Sequence, residues 1–303
     1  MRLIFFGTGT FAVPALKALA ERVVLVVTQP DRPAGRGMKL HPTPVKLAAL
    51  ELGLPVETPE KSRAPEFVDR LRNLNADALV VASYGQILSQ AVLDSATRGG
   101  INLHGSILPK YRGAAPIQRA ILAGETETGV TLMQMDRGMD TGDAIDVVRT
   151  EIGPDETYGD LQDRLAEVAA QLVAKWLPRI VVGDYPRTPQ DPVEASVAPK
   201  VEKEDAELDC RNEAPAEYRR FRAFTPSPGA FLRTNRGLLK LSNVRISHQS
   251  GNAGAVLDTR DGVLVAFGSG SLKLLEVQPE GKRRMSGSDF ANGARLKPGD
   301  RLI

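Results

Sequence analysis

Short apolar runs alternate with amphipathic segments along the first half of the chain. Residues 2–6 end at Gly7 and read as a buried strand. Thr10 is placed to cap a following helix that carries Pro14 in its first turns. Residues 23–27 (VVLVV) form a second buried strand. A loop rich in Pro, Gly and Arg spans 28–42, and a helix over about 44–52 stops at Gly53. A short strand near Val56 precedes a helix over about 65–74. Residues 78–82 (ALVVA) and 101–104 read as two further strands, the second leading into a loop. Strand and helix in alternation imply a doubly wound, Rossmann-like, mostly parallel sheet covered on both faces.

The pattern then changes. Residues 130–135 and 144–148 are two strands close in sequence, an antiparallel addition to the sheet. Apolar spacing predicts a long helix over 161–177. Residues 184–200 hold Pro186, Pro189, Pro192 and Pro199 and read as an extended linker. After a helix at about 215–224 come short strands separated by glycine turns, over 229–233, 238–246, 254–257, 262–266 and 271–277. This is a small β domain, a barrel. The fold class is therefore α/β with a C-terminal β-barrel domain. The division expected is 1–189 catalytic, 190–208 linker and 209–303 β domain.

Composition adds limits. The 303 residues are 42% hydrophobic and 25% charged, as in ordinary globular proteins. No apolar run approaches the ~18 residues of a membrane span, so no membrane partner is expected. The N-terminus is too soon broken by glycine to read as a signal peptide. The single cysteine, Cys210, excludes an intramolecular disulfide and a Cys-cluster metal site. A cytoplasmic location follows as the expectation. The net charge of +2 conceals a split: residues 1–210 sum to −6 and residues 211–303 to +8. The basic part suits a polyanion, or is simply a solvated surface.

Two groups of residues carry candidate chemistry. Gly7-Thr8-Gly9-Thr10-Phe11-Ala12 fits the G-x-G-x-x-A turn of dinucleotide-binding folds, but the second strand ends in Thr28-Gln29 without the acidic residue that turn requires. A nicotinamide-dependent dehydrogenase is the rival reading it supports. The second group is Asn102, His104 and Asp140. Asn102 and His104 share one strand face near its C-terminal end, where open α/β sheets place their sites. Asp140 lies in a glycine-bracketed turn and can orient the histidine. An amide for an oxyanion, an imidazole and a carboxylate suit acyl transfer without a protein nucleophile. Each can equally be a structural polar residue.

Around these residues the chain resembles the methionyl-tRNA branch of the folate-dependent formyltransferase family. The resemblance rests on Asn102-x-His104, on Ser106-Ile107-Leu108-Pro109, on Tyr111-Arg112-Gly113-Ala114-Ala115-Pro116, and on Asp140 placed 38 residues after Asn102. The 28–37 segment TQPDRPAGRG resembles the inserted tRNA-contacting loop of that branch. The resemblance implies 10-formyltetrahydrofolate as formyl donor, methionyl initiator tRNA as acceptor, no metal and a monomer. It implies Asn102, His104 and Asp140 as catalytic residues. Ser106, Ile107, Leu108 and Pro109 would line the folate pocket, and Arg32, Arg36 and Lys39 would contact tRNA. The C-terminal domain would be OB-like, with Arg219, Arg220, Arg222, Arg233, Arg236, Lys240, Lys282, Arg283 and Arg284 as candidates for a phosphate track. A sugar-nucleotide N-formyltransferase would share the Asn–His–Asp trio without needing the basic loop. A non-catalytic RNA-binding protein would need no such trio.

Overall fold

The apolar runs expected as buried strands lie side by side. The computed structural model describes residues 1–34 and 39–303. Contacts divide the chain into two units: Met1–Pro116, Glu127–Glu151 and Gln162–Pro199 form the first, and Ile117–Thr126, Ile152–Leu161 and Lys200–Ile303 the second. No single cut separates them, because two short segments, Ile117–Thr126 and Ile152–Leu161, belong with the C-terminal part.

In the first unit the strands are β1 (Leu3–Gly7), β2 (Val23–Val27), β3 (Arg32–Ala34), β4 (Lys39–His41), β5 (Val56–Glu57), β6 (Ala78–Ala82), β7 (Gly100–His104), β8 (Arg112–Gly113), β9 (Glu127–Gln134), β10 (Ala144–Glu151) and β11 (Val197–Ala198). The main sheet has the order β10-β9-β7-β6-β1-β2-β5. Neighbours from β7 to β5 are parallel, while β9 and β10 add antiparallel. Every residue of β1, β6 and β7 is buried, as strands covered on both faces require. Ile4, Phe6, Leu79 and Val81 pack with Phe67, Val68 and Leu71 of α3 (Pro65–Asn73), behind α1 (Val13–Leu19) and α2 (Pro44–Glu51) in the chain. The remaining helices are α4 (Gln90–Leu93), α5 (Pro116–Ala123), α6 (Tyr158–Val182), α7 (Ala214–Ala223) and α8 (Gly287–Ala294). No helix among the described residues is long and apolar enough to cross a membrane.

In the second unit β12 (Phe231–Thr234), β13 (Gly237–Ser247), β14 (Val256–Asp258), β15 (Val263–Ala266), β16 (Ser271–Pro279) and β17 (Met285–Ser286) form one antiparallel sheet. Its order is β12-β13-β16-β15-β14, with β17 on β16. This curled half-barrel is stitched at its open side by the C-terminal tail. The Asn235 amide, in the β12–β13 turn, donates to the Leu302 carbonyl, while Val256 at the head of β14 donates to the Asp300 carbonyl. The core includes Phe221, Leu232, Phe267, Leu274 and Phe290, and Cys210 lies within it. Burial pushes the Cys210 thiol up to about 12, so it stays a neutral packing group.

Three expectations need correction. Thr10 does not cap a helix: Gly9 holds that position, and the Thr10 hydroxyl accepts a bond from Gln162. The proline-rich stretch is not wholly extended chain, because Pro192–Glu194 form a single 3-10 turn; β11, which follows it, is extended and pairs in parallel with β8. The loop over 28–42 contains a hairpin, β3 against β4, in the register Arg32 to His41.

Candidate active site

Alternation along β7 places Asn102 and His104 on one face, and both are buried. Asp140 comes to them from the turn after β9. Its Oδ1 accepts a bond from Asn102 Nδ2 at 3.2 Å, and its Oδ2 accepts the Gly113 amide at 2.9 Å. The same Oδ2 stands 3.6 Å from His104 Nδ1. His104 Nε2 lies 2.9 Å from the Tyr111 carbonyl. A carbonyl only accepts, so Nε2 carries the hydrogen and Nδ1 is the nitrogen that faces Asp140.

The trio borders a cavity of about 460 Å³ outside the carboxyl ends of β6 and β7. Tyr84, Gly85, Gln86, Ile87 and Leu88 form one wall, and Met135 to Asp140 another. Ile87 and Met139 leave their side chains largely exposed there. Tyr84 is buried edge-on against Phe6, with ring centres 5.1 Å apart. Burial pushes its phenol up to about 12, with the Ser62 hydroxyl acting in the other direction, so it is neutral near pH 7.

Three non-glycine residues in left-handed backbone gather here: Ser83 (φ 46°), Tyr111 (φ 61°) and Asp140 (φ 56°). Such conformations persist where surrounding bonds over-determine them. At Asp140 those bonds are visible. Gln190 donates to the Asp140 carbonyl at 2.9 Å and to the Gly142 carbonyl at 2.7 Å. Its own Oε1 accepts from Arg112 Nε and Nη2 at 3.0 and 2.7 Å. Gly113 must lack a side chain: its φ is +123°, and a Cβ would lie 2.7 Å from the Ala198 carbonyl.

The other expected site residues divide. Ser106, Ile107, Leu108 and Pro109, expected in a donor pocket, do not line this cavity. Ser106 turns inward, its hydroxyl donating to the Lys110 carbonyl at 2.7 Å. Thr131, buried on β9, donates to the Ser106 carbonyl and accepts the Leu108 amide. The segment thus braces the end of β7. Arg32 lies exposed on β3, with Glu60 4.0 Å from its guanidinium. Lys39 lies on β4, and Arg36 is outside the described residues. In the second unit Arg222 is not free for a phosphate, because it is buried and donates to the Gly153 carbonyl. Arg220 is engaged by Glu217 and by the Asp205 carbonyl. Arg236, Lys240, Lys282 and Arg283 are exposed.

The Gly7–Gly9 turn is built for packing. A Cβ on Gly7 would lie 2.8 Å from the Phe5 ring and 2.9 Å from Ala12. The Thr8 hydroxyl donates to the Tyr84 carbonyl at 2.8 Å, tying the turn to the cavity wall.

Comparison with known proteins decides between the readings. A formyl transferase family model matches residues 1–177, and a model of the formyl transferase C-terminal domain matches residues 200–295. The chain is 47% identical over 306 residues to a methionyl-tRNA formyltransferase of Geobacter metallireducens, covering 100% of this chain and 98% of that one. It is 46% identical over 301 residues to a methionyl-tRNA formyltransferase of Myxococcus xanthus, covering 98% and 96%. The chain belongs to the methionyl-tRNA formyltransferase family.

Solved structures show the same fold at greater distance. An N-formyltransferase of Helicobacter canadensis, in complex with folinic acid and dTDP-3-aminofucose, superposes with a TM-score of 0.66 at 19% identity, covering 90% of this chain and 98% of that one. HypX of Aquifex aeolicus, in complex with tetrahydrofolic acid, superposes at 0.67 with 16% identity, covering 100% of this chain and 50% of that one. The dehydrogenase reading of the glycine turn is set aside. Gln190 and Thr131 escape notice in the sequence, where no spacing pattern marks them, and Arg112 enters there only within the 111–116 motif, without a role.

Proposed function

We propose that the chain transfers the formyl group of 10-formyltetrahydrofolate to the α-amine of methionyl initiator tRNA, and that Asn102, His104 and Asp140 carry the step. The amine attacks the formyl carbon and a C–N bond forms. The carbonyl oxygen becomes a tetrahedral oxyanion. The bond from that carbon to folate N10 then breaks, and one proton passes from the amine to N10.

Asn102 Nδ2 has two hydrogens and spends one on Asp140, leaving the other for the oxyanion. One well-placed donor of this kind contributes roughly 3 kcal/mol. Asp140 receives the amine proton and returns it to the leaving nitrogen. The His104 ring, its Nε2 held by Tyr111, places a protonatable Nδ1 beside that carboxylate and offsets the growing negative charge. The cavity wall of Tyr84 to Leu88 takes the folate ring system. The observation that carries this reading is the convergence of the three side chains on one cavity, in a chain matched end to end by its relatives.

In this reading residues 1–189 do the chemistry and residues 209–303 bind tRNA through exposed cations such as Arg236, Lys240, Lys282 and Arg283. Arg32, Arg36 and Lys39 meet the acceptor stem. The enzyme acts as a monomer in the cytoplasm. The test is a formylation assay with 10-formyltetrahydrofolate and methionine charged on initiator or elongator tRNA. Transfer to the initiator form in preference supports the reading; equal use of both, or of neither, overturns it.

A further inference from the structure

Residues 184–200 read as linker, yet one side chain there closes a complete hydrogen-bond circuit. The Gln190 amide has two acceptor lone pairs and two donor hydrogens. Arg112 takes up Oε1 through Nε at 3.0 Å and Nη2 at 2.7 Å. Both amide hydrogens go to the turn that carries Asp140, at 2.9 Å to the Asp140 carbonyl and 2.7 Å to the Gly142 carbonyl. Nothing in this arrangement is left for another partner.

The circuit has a direction. Asp140 sits at φ 56°, a conformation that a non-glycine residue keeps only under constraint. Its carboxylate is aimed by Gly113 N, and Gly113 follows Arg112 in β8. Arg112 and Gly113 therefore hold both ends of Asp140: the guanidinium through Gln190 to the backbone, the amide to the carboxylate. The strap is fixed on its far side as well. The Tyr111 amide donates to Ser196 Oγ at 2.9 Å, and the Ser196 carbonyl accepts the Arg112 amide at 2.8 Å. Tyr111 is the residue whose carbonyl fixes His104. One strap thus determines where two members of the trio stand.

The geometry points to Gln190 as a positioning residue for formyl transfer: it touches neither substrate and sets the place of the Asp140 carboxylate through the 140–142 backbone. The inference rests on the function proposed above. A displacement of about 1 Å at a reacting group costs roughly a hundredfold in rate.

Two variants of the full chain test it. Gln190→Glu keeps the Arg112 fork but turns carboxylate oxygens toward two carbonyls. Gln190→Asn keeps the chemistry and withdraws the amide by one methylene. Steady-state formylation of methionyl initiator tRNA is measured for each, with the thermal midpoint as control. The expected result is a kcat lowered about tenfold to hundredfold, with KM for tRNA and for 10-formyltetrahydrofolate within about twofold and the midpoint little changed. Unchanged kcat in both variants overturns the inference, as does a loss of kcat that only tracks a fallen midpoint. A wild-type chain that transfers no formyl group overturns the functional reading, and this inference with it. An active wild type with unaffected variants overturns this inference alone.

Discussion

Asp140 Oδ2 stands 3.6 Å from His104 Nδ1 while it accepts the Gly113 amide at 2.9 Å. The carboxylate is therefore placed by backbone and available to the ring. Asp140→Asn tests what its charge does. Asparagine tolerates left-handed backbone nearly as well as aspartate, so the φ of 56° is not the obstacle. The expected outcome is a kcat for formyl transfer about a hundredfold lower, with the thermal midpoint within a few degrees of wild type. Full activity would remove the carboxylate from proton transfer.

Glycine matters at Gly142 and not at Gly9. A Cβ on Gly142 would lie 1.9 Å from the Gln134 carbonyl, which is fixed backbone in β9. Gly142→Ala must shift the Asp140 turn, with an expected loss of about 1–3 kcal/mol in urea denaturation and a lower kcat. The nearest atom to a Cβ on Gly9 is Ser83 Cβ, at 3.9 Å, an ordinary contact. Gly9→Ala is expected to fold and to transfer formyl groups normally. Equal damage from both would show that the fingerprint turn does more than pack.

Tyr84 and Tyr218 link folding to alkaline pH. Burial pushes each phenol up to about 12 in the folded protein, from 10.0. Between those values the unfolded chain releases the protons and the folded one keeps them. Stability must then fall as pH rises from about 10 to 12. Among the described residues the buried Tyr84 hydroxyl has no hydrogen-bond partner at full bonding geometry, the Ser62 hydroxyl being its polar neighbour. Tyr84→Phe is therefore expected to be neutral or slightly stabilising near pH 7 and to flatten this alkaline loss. Urea midpoints followed across pH 8–11.5 check both; a steeper alkaline loss in the variant would contradict the assignment.

Arg32 is exposed on β3 and its carboxylate neighbour is 4.0 Å away. If it meets tRNA phosphate, Arg32→Glu raises KM for tRNA and leaves KM for the folate donor unchanged. Each lost phosphate contact also reduces the salt dependence of tRNA binding by about one in the log–log slope. Titrations of tRNA binding at several salt concentrations measure this directly. An unchanged slope and KM would take Arg32 off the tRNA surface.

The parts legible in the sequence were those governed by local pattern. The runs at β1, β2 and β6 are apolar throughout because both sheet faces are covered. Asn102 and His104 could be paired by the strand period alone. Asp140 reads only as a carboxylate in a glycine-bracketed turn that can orient the histidine; family likeness adds its spacing from Asn102, and the 3.2 Å bond to Asn102 gives it a physical basis. Gln190 was illegible for the opposite reason. Prolines mark chain that forms few backbone bonds, but they say nothing of a side chain that reaches back across the fold. The 106–109 segment shows the converse limit. Its motif signalled proximity to the site, whereas Ser106 and Leu108 face the supporting Thr131 and Lys110. Helix α8 also escaped, since GSDFANGA holds two glycines. Ser286 caps it, accepting the Asp289 amide, and Phe290 anchors it in the core.

In the proposed function, buried Asn102 and His104 and the partly exposed Asp140 together perform formyl transfer. Single-turnover transfer from saturating 10-formyltetrahydrofolate to methionyl initiator tRNA, compared between wild type and His104→Ala, tests it most directly. The expected rate for His104→Ala is lower by about 10²–10⁴, with folate binding, read by fluorescence, within about twofold of wild type. A rate near that of wild type in a folded, folate-binding His104→Ala chain would contradict it.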